Sequence, residues 1–139
     1  MVVYNPAWLQ IILYIAILAF PFLSGCMFYL AYEAFAKSSL SGAVIFLFLG
    51  AGVAYISYFG LLYAKFVSAK VVFDESQFTV EINGSKSSYA WSEIASVKNH
   101  QRAQLLQLID STGATIYVVD HMTPGYKLFA KKVMAVVAD

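Results

Sequence analysis

Two long uncharged runs dominate the first half of the chain. The first covers residues 7–32 and the second covers Leu40–Ala64. Each is long enough to cross a hydrocarbon core, which requires about 20 helical residues. A short polar segment at 33–39 connects them. The pattern therefore predicts an antiparallel hairpin of two transmembrane helices, at 7–32 and 40–64, inside a membrane region that covers residues 1–65.

The first run contains a proline and has an alternative interpretation. Pro21 removes one helical hydrogen bond, so we expect a kink between Ile17 and Pro21. The alternative is a cleavable signal peptide, which has a basic amino-terminal region and an apolar core of about 7–15 residues. The longer run at 7–32 lacks such a basic region and favours a membrane-spanning helix.

The second run is rich in small residues. Gly50 and Ala54 are four positions apart, and Ser57 follows on a neighbouring position of the same helix. Small residues at this spacing allow two helices to approach closely. We predict that Gly50, Ala54 and Ser57 pack against the first helix, with homodimerisation as the alternative.

From residue 66 onward the apolar positions alternate and turn residues recur about every ten positions, which is typical of antiparallel strands. Strands are predicted at 67–73, 78–82, 85–91, 94–100, 104–109 and 115–119, arranged as a meander. Asn83-Gly84 predicts a type I′ hairpin turn, because both central residues of that turn have positive φ.

The chain ends in a predicted amphipathic helix at 124–138, which Thr123 and Pro124 begin as N-cap and first helical residue. Its apolar face consists of Tyr126, Phe129, Val133, Val136 and Val137. The fold class is therefore α+β, with a transmembrane hairpin followed by a small β domain at 66–139 that the helix closes.

Composition and charge support this division. The chain is 60% hydrophobic and 12% charged, whereas about a quarter of the residues in soluble domains are charged. Only Glu33 and Lys37 among the charged residues precede Lys65. Lys65 and Lys70 follow the second helix, so we expect both termini on the cytoplasmic side of a membrane that the chain spans more than once.

A short segment links two of the predicted strands. Trp91, Ile94 and Val97 follow at intervals of three residues, with Ser92 and Glu93 after the tryptophan. We expect the chain to change sheets here, with the indole ring filling the corner and Ile94 and Val97 returning to the core.

The strands, the Trp91 segment and the closing helix together resemble the bacterial pleckstrin-homology-like (PH-like) domains of the YcxB-like group, in which two transmembrane helices commonly precede such a domain. The resemblance implies a partly closed, near-orthogonal sheet capped by a helix, and no defined reaction. The residues that carry it are Trp91, Glu93, Ile94, Val97, Leu105–Ile109, 116–119, Thr123 and Pro124.

PH-like folds can also bind anionic headgroups, and each basic residue near such a surface contributes about 1 kcal/mol. A solvated basic face is the alternative. The candidate headgroup contacts are Lys65, Lys70, Lys127, Lys131 and Lys132.

The inventory of reactive residues is small. His100 and His121 match no metal-binding or catalytic-triad spacing, although Asp120 precedes the second. Cys26 is the single cysteine and lies in an apolar run. A net charge of +1 gives no case for nucleic acid. We therefore predict no catalytic, cofactor-binding or metal-binding residues and no enzyme activity.

Three functions fit these features. The first is a membrane-anchored module that binds a protein partner, with the polar turn at 99–104 as its candidate contact. The second is an immunity or inhibitor protein that neutralises a membrane-acting toxin. The third is a lipid-binding or transporter-associated subunit that oligomerises through Gly50 and Ala54, which the absence of charge within both runs disfavours. The candidate partner-binding residues are Asn99, His100, Gln101, Arg102 and Gln104.

Overall fold

The computed structural model describes the backbone of residues 1–138 and the side chains as far as Val137, and it confirms an α+β chain. The chain forms two compact units. One is Ile11–Ala64, which we call the helical hairpin; the other combines Met1–Gln10 with the chain from Lys65 onward, and we call it the β module. The elements are β1 Val2–Tyr4, α1 Ala7–Ala36, α2 Leu40–Ala64, β2 Lys70–Phe73, β3 Gln77–Ile82, β4 Ser85–Ala90, β5 Ser96–His100, β6 Leu105–Ile109, β7 Thr115–Asp120 and α3 Tyr126–Ala138.

Both helices of the hairpin are long and apolar enough to cross a membrane, with mean hydropathies of 2.3 and 2.0 over their most apolar windows. α2 has the predicted bounds, but α1 is four residues longer than the predicted 7–32. Glu33 and Lys37 form an ion pair at 3.1 Å, four positions apart. This spacing stabilises one more helical turn, so Glu33 belongs to α1 and not to the connection. Pro21 lies inside α1, which continues through it.

The predicted small residues lie where α2 packs within the hairpin. A methyl group added at Gly50 would lie 3.0 Å from the ring of Phe28 on α1. The Ser24 hydroxyl donates to the carbonyl oxygen of Gly50 at 3.0 Å, and Ser57 is buried. Gly50 therefore contacts α1 directly, and Ala54 is half-buried one turn further along.

The β module contains a strand that the sequence pattern does not predict. Val2–Tyr4 pairs antiparallel with β2, and Val3 lies opposite Val71. Asn5 then donates its side-chain N–H to the carbonyl oxygen of Val67 at 2.9 Å. The first ten residues consequently belong to the same unit as the second half of the chain, which differs from the predicted division at residue 65.

The strands form two sheets and not one continuous meander. The first has the order β1-β2-β3-β4 and the second has the order β5-β6-β7. Within each sheet the neighbours follow the chain, as a meander requires. The predicted strand at 67–73 pairs only over Lys70–Phe73, although Val67 and Ala69 are buried as expected. Asn83 and Gly84 have φ of 50° and 83°, which confirms the positive-φ hairpin turn.

The change of sheets occurs at the predicted corner. Trp91–Glu93 forms a single 3₁₀ turn, and the buried indole donates from Nε1 to the carbonyl oxygen of Asp74 at 3.1 Å. Ile94 is buried as predicted. Val97 is only half-buried, because β5 is an edge strand and exposes part of its surface.

α3 closes the core but begins two residues later than predicted. Gly125 has φ of 86°, which a right-handed helix does not accept, so the helix starts at Tyr126. Phe129 and Val133 are fully buried, whereas Val137 is 43% exposed and does not belong to the core face. The Phe129 ring lies within about 6 Å of four aromatic rings from both sheets and the corner, those of Phe73, Phe78, Trp91 and Tyr117.

Candidate functional site

A groove of about 300 Å³ opens between the two sheets on the β4 side of the module. We call it the β4 groove. It forms because the core-facing positions of β4 carry small side chains: Ser85 lies opposite Ile82, and Ser87 lies opposite Val80. Two serines therefore occupy positions at which large apolar side chains would fill the space between the two sheets. Its lining residues are Lys65, Phe66, Val80, Ile82, Ser85, Ser87, Tyr89, Thr115 and Ile116.

β4 itself is the last strand of its sheet, so one of its two sides has no neighbouring strand. In a two-residue hairpin the residues that flank the turn form a hydrogen-bonded pair, and such pairs alternate along the strands. The register of Ile82 with Ser85 therefore directs the backbone groups of Ser85 and Ser87 toward β3. The backbone groups of Lys86 and Ser88 point away, toward the open edge.

The end of this edge is blocked by a side chain of the corner. By the same alternation the N–H of Ala90 also points outward, and it donates to the carboxylate of Glu93 at 2.8 Å. The edge that can accept another strand is therefore short and centred on Ser87. An unpaired strand edge of this kind is a ready template for a further strand.

The charges around the β4 groove are positive and only partly compensated. Lys65 lies at the groove, with its ammonium nitrogen 5.7 Å from the centre of the Phe66 ring. Lys86 on the outer face of β4 lies 3.8 Å from Glu81. The groove thus combines an apolar floor, serine and threonine hydroxyls, and one lysine, a composition suited to an extended peptide segment.

The predicted partner-binding residues share one turn but differ in their roles. Asn99, Gln101, Arg102 and Gln104 are exposed. Gln104 has φ of 56°, and its carbonyl oxygen accepts the N–H of His121 at 2.9 Å. The turn at 99–104 is therefore attached to the end of β7.

His100 instead belongs to a polar chain across the second sheet. Its Nε2 lies 2.9 Å from Oε1 of Gln107, whose side-chain N–H donates to the Thr115 hydroxyl at 2.7 Å. Since Gln107 uses its amide as the donor, His100 carries the proton on Nε2. We assign His100 a structural role in holding β5, β6 and β7 together.

The candidate headgroup lysines are dispersed over several elements. Lys65 lies between α2 and β2, Lys70 lies in β2, and Lys127 and Lys131 are exposed on α3. The ammonium group of Lys132 pairs with the carboxylate of Glu75. Lys132 is consequently engaged within the module, and the remaining lysines keep their charges exposed to solvent.

The second histidine, His121, directly follows β7. Its ring packs at a tilt on the ring of Tyr126, the first residue of α3, with 4.5 Å between ring centres. Burial raises the pKa of Asp120, although the N–H of Met122 donates to its carboxylate at 2.6 Å. Burial, together with the charge of Asp120, also raises the pKa of the Tyr126 hydroxyl. Asp120, His121 and Tyr126 thus form a compact polar cluster that packs β7 against α3.

Two other carboxylates close turns. The N–H of Gln77 and both the N–H and hydroxyl of Ser76 donate to Asp74, which lowers the pKa of that carboxyl. The hydroxyl and N–H of Thr112 donate to Asp110 and lower its pKa in the same way. Within residues 1–138, no three His, Cys, Asp or Glu residues are arranged to hold a metal ion.

Comparison with models of protein families, with curated proteins and with solved structures gave no match to this chain.

Proposed function

We propose that this chain is a membrane-anchored, non-enzymatic protein-binding module of the bacterial inner membrane, whose partner adds an extended segment to β4. The observation that carries the proposal is the open edge of β4 beside the β4 groove. Strand addition obtains affinity from backbone hydrogen bonds and specificity from pockets for alternate side chains. Both components lie side by side here.

The anchor and its topology rest on the helical hairpin. Two apolar helices of sufficient length support two membrane crossings. Tyr4 before α1 pairs with Lys70 after α2 in one sheet, so both connections to the hairpin start from the same module. With two crossings, the module therefore lies on one side of the membrane. The basic Lys65 and Lys70 next to α2 favour the cytoplasmic side.

We further propose that the β module is a PH-like domain that carries the helical hairpin as an insertion between β1 and β2. Two antiparallel sheets, the corner at Trp91 and a terminal helix that buries Phe129 support this assignment. On this view both ends of the helical hairpin connect to the module, which tethers the module to the membrane.

Site-specific photo-crosslinking tests the proposed binding site in the complete chain. A benzophenone amino acid replaces Ser87, which lines the β4 groove, and the matched control replaces Ser111, which is exposed in the turn before β7. The full chain carries a C-terminal tag and is irradiated in its native membranes. We expect an adduct with a protein at position 87 and none at position 111.

A second substitution separates strand addition from other contacts. Ser88→Pro removes an N–H that points toward the open edge and leaves the pairing with β3 in place, since proline is tolerated on the outer side of edge strands. We expect this change to abolish the adduct at position 87. Adducts with lipid alone, or none with any protein, would refute the proposed function.

A further inference from the structure

We propose that the segment paired with β4 is β4 of a second copy of this chain, antiparallel to the first around a two-fold axis that passes through Ser87. The inference rests on the proposed function and names the partner for the same site. It follows from the backbone groups available at the edge, from the side chains on each face of β4, and from the placement of charge.

The backbone groups select one register. Only Lys86 and Ser88 direct free N–H and C=O groups outward, because Glu93 already holds the N–H of Ala90. In an antiparallel pair centred on Ser87, Lys86 of the first copy lies opposite Ser88 of the second copy. Ser88 of the first copy likewise lies opposite Lys86 of the second copy. Each of these pairs exchanges two hydrogen bonds. All the outward groups of both residues are therefore satisfied.

The neighbouring registers are less favourable. Centring the pair on Ser88 requires the N–H of Ala90, which is occupied. Centring it on Lys86 places that lysine directly opposite its own copy, and like charges at such positions are destabilising. A slip by one residue would place core-facing side chains opposite outer ones. The register centred on Ser87 avoids all three conflicts.

The core-facing side chains are complementary in size in this register. Ser85 lies opposite Tyr89 of the second copy, so that a large ring is placed beside a small side chain at the β4 groove. The two-fold axis repeats the arrangement at the other end of the strand. Tyr89 of each copy thus supplies the bulk that Ser85 of the other copy lacks, while the two Ser87 side chains lie opposite each other at the axis.

The outer face tolerates the same pairing. Lys86 lies opposite a serine, and Glu81 is 3.8 Å from its ammonium group, which compensates part of the charge. Confinement of both copies to one membrane raises their effective concentration, so a short pair of strands can associate without a large additional interface.

Disulfide formation between single cysteines tests the register in the full chain within its own membranes. Cys26→Ser removes the natural cysteine. Ser87→Cys then places two thiols in a pair that is not hydrogen-bonded, with Cα atoms about 4.5 Å apart, a distance at which disulfides form. Ser88→Cys is the matched control, since its copies are diagonal neighbours about 7–8 Å apart.

Under mild oxidation, we expect the cysteine at position 87 to give covalent dimers roughly tenfold faster than that at position 88, as their separations predict. Equal rates at the two positions, faster dimer formation at position 88, or no dimer at either would overturn the inference. In purified protein that also carries Trp8→Phe, the fluorescence of buried Trp91 reports whether the module of each variant has kept its fold.

The outcome is distinguishable from failure of the proposed function. A protein adduct at position 87 that contains a different chain, together with the absence of the disulfide dimer, would refute the second copy as the partner and still support strand addition. The absence of both products would refute both proposals.

Discussion

Val3 provides a quantitative test of the unexpected first strand. It is fully buried, lies opposite Val71, and has its Cγ2 atom 3.2 Å from where a methyl group at Gly125 would be. Val3→Ala removes two carbon atoms from this site. At about 0.8 kcal/mol for each buried carbon, plus a term for the cavity left behind, we expect a loss of about 2–3 kcal/mol in the free energy of unfolding.

Val2 is the matched control, because it belongs to the same strand but is 44% exposed. Val2→Ala should change the free energy of unfolding by less than about 0.5 kcal/mol. Both variants are made in the full chain with Trp8→Phe, so that Trp91 is the remaining tryptophan. Urea unfolding in lipid nanodiscs is then followed by its fluorescence.

With a urea dependence of about 1–3 kcal/mol per molar, Val3→Ala should lower the unfolding midpoint by about 0.7–3 M. Equal midpoints for the two variants would refute the packing of β1 in the module. The two long apolar helices serve as an internal reference, since their helical signal should persist through this transition.

Three further changes test the turn before α3, the Asp110 turn and the helical hairpin. Gly125→Ala should cost about 2 kcal/mol or more, measured in the same urea assay, because its Cβ would lie 2.7 Å from the carbonyl oxygen of Val2 at a positive φ. The pKa of Asp110 is lowered in the folded state. Its contribution to the free energy of unfolding is therefore complete above the ordinary pKa of 3.8 and is lost as the pH falls through the lowered pKa. Asp110→Asn should therefore reduce the loss of stability between about pH 5 and about pH 2. Gly50→Leu should lower the thermal midpoint of the hairpin in detergent, measured by circular dichroism, whereas Gly52→Leu should not, since an added methyl group at Gly52 meets nothing within 4 Å.

The parts of the fold that local pattern predicts correctly are those with strong local causes. Uncharged runs of 25 residues or more leave few alternatives to long helices, and Asn83-Gly84 supplies the positive φ that its turn requires. The corner at Trp91 was also predictable, because a large aromatic side chain between two strands needs a place to be buried. In each case the residues involved are neighbours in the chain.

The predictions that fail concern features that depend on contacts between residues far apart in the chain. Val2–Tyr4 is too short to show a strand pattern and becomes a strand only because β2, more than sixty residues later, offers its edge. The late start of α3 reflects close contact between Gly125 and β1. Likewise, the exposure of Val97 and Val137 follows from which neighbours reach them in three dimensions.

The candidate site also combines features that local sequence predicts with features that depend on distant contacts. The sequence predicts the exposed turn at 99–104 because polar residues cluster there, but it does not reveal that His100 is bound to Gln107 on the next strand. The sequence shows Ser85 and Ser87 as small residues on a predicted strand. The β4 groove exists only because these serines pair with Ile82 and Val80 on β3 while the other side of β4 has no neighbouring strand.

Local pattern is sufficient to predict two apolar helices, a β-rich second half, its principal hairpin turn and its closing helix. These features depend on composition, period and turn chemistry, which act over a few residues. Packing in three dimensions is required to add the amino terminus to the first sheet, to divide the strands into two sheets, and to leave β4 with an open edge. Those features depend on pairing between distant segments, whose free energy is gained only when the whole module packs together.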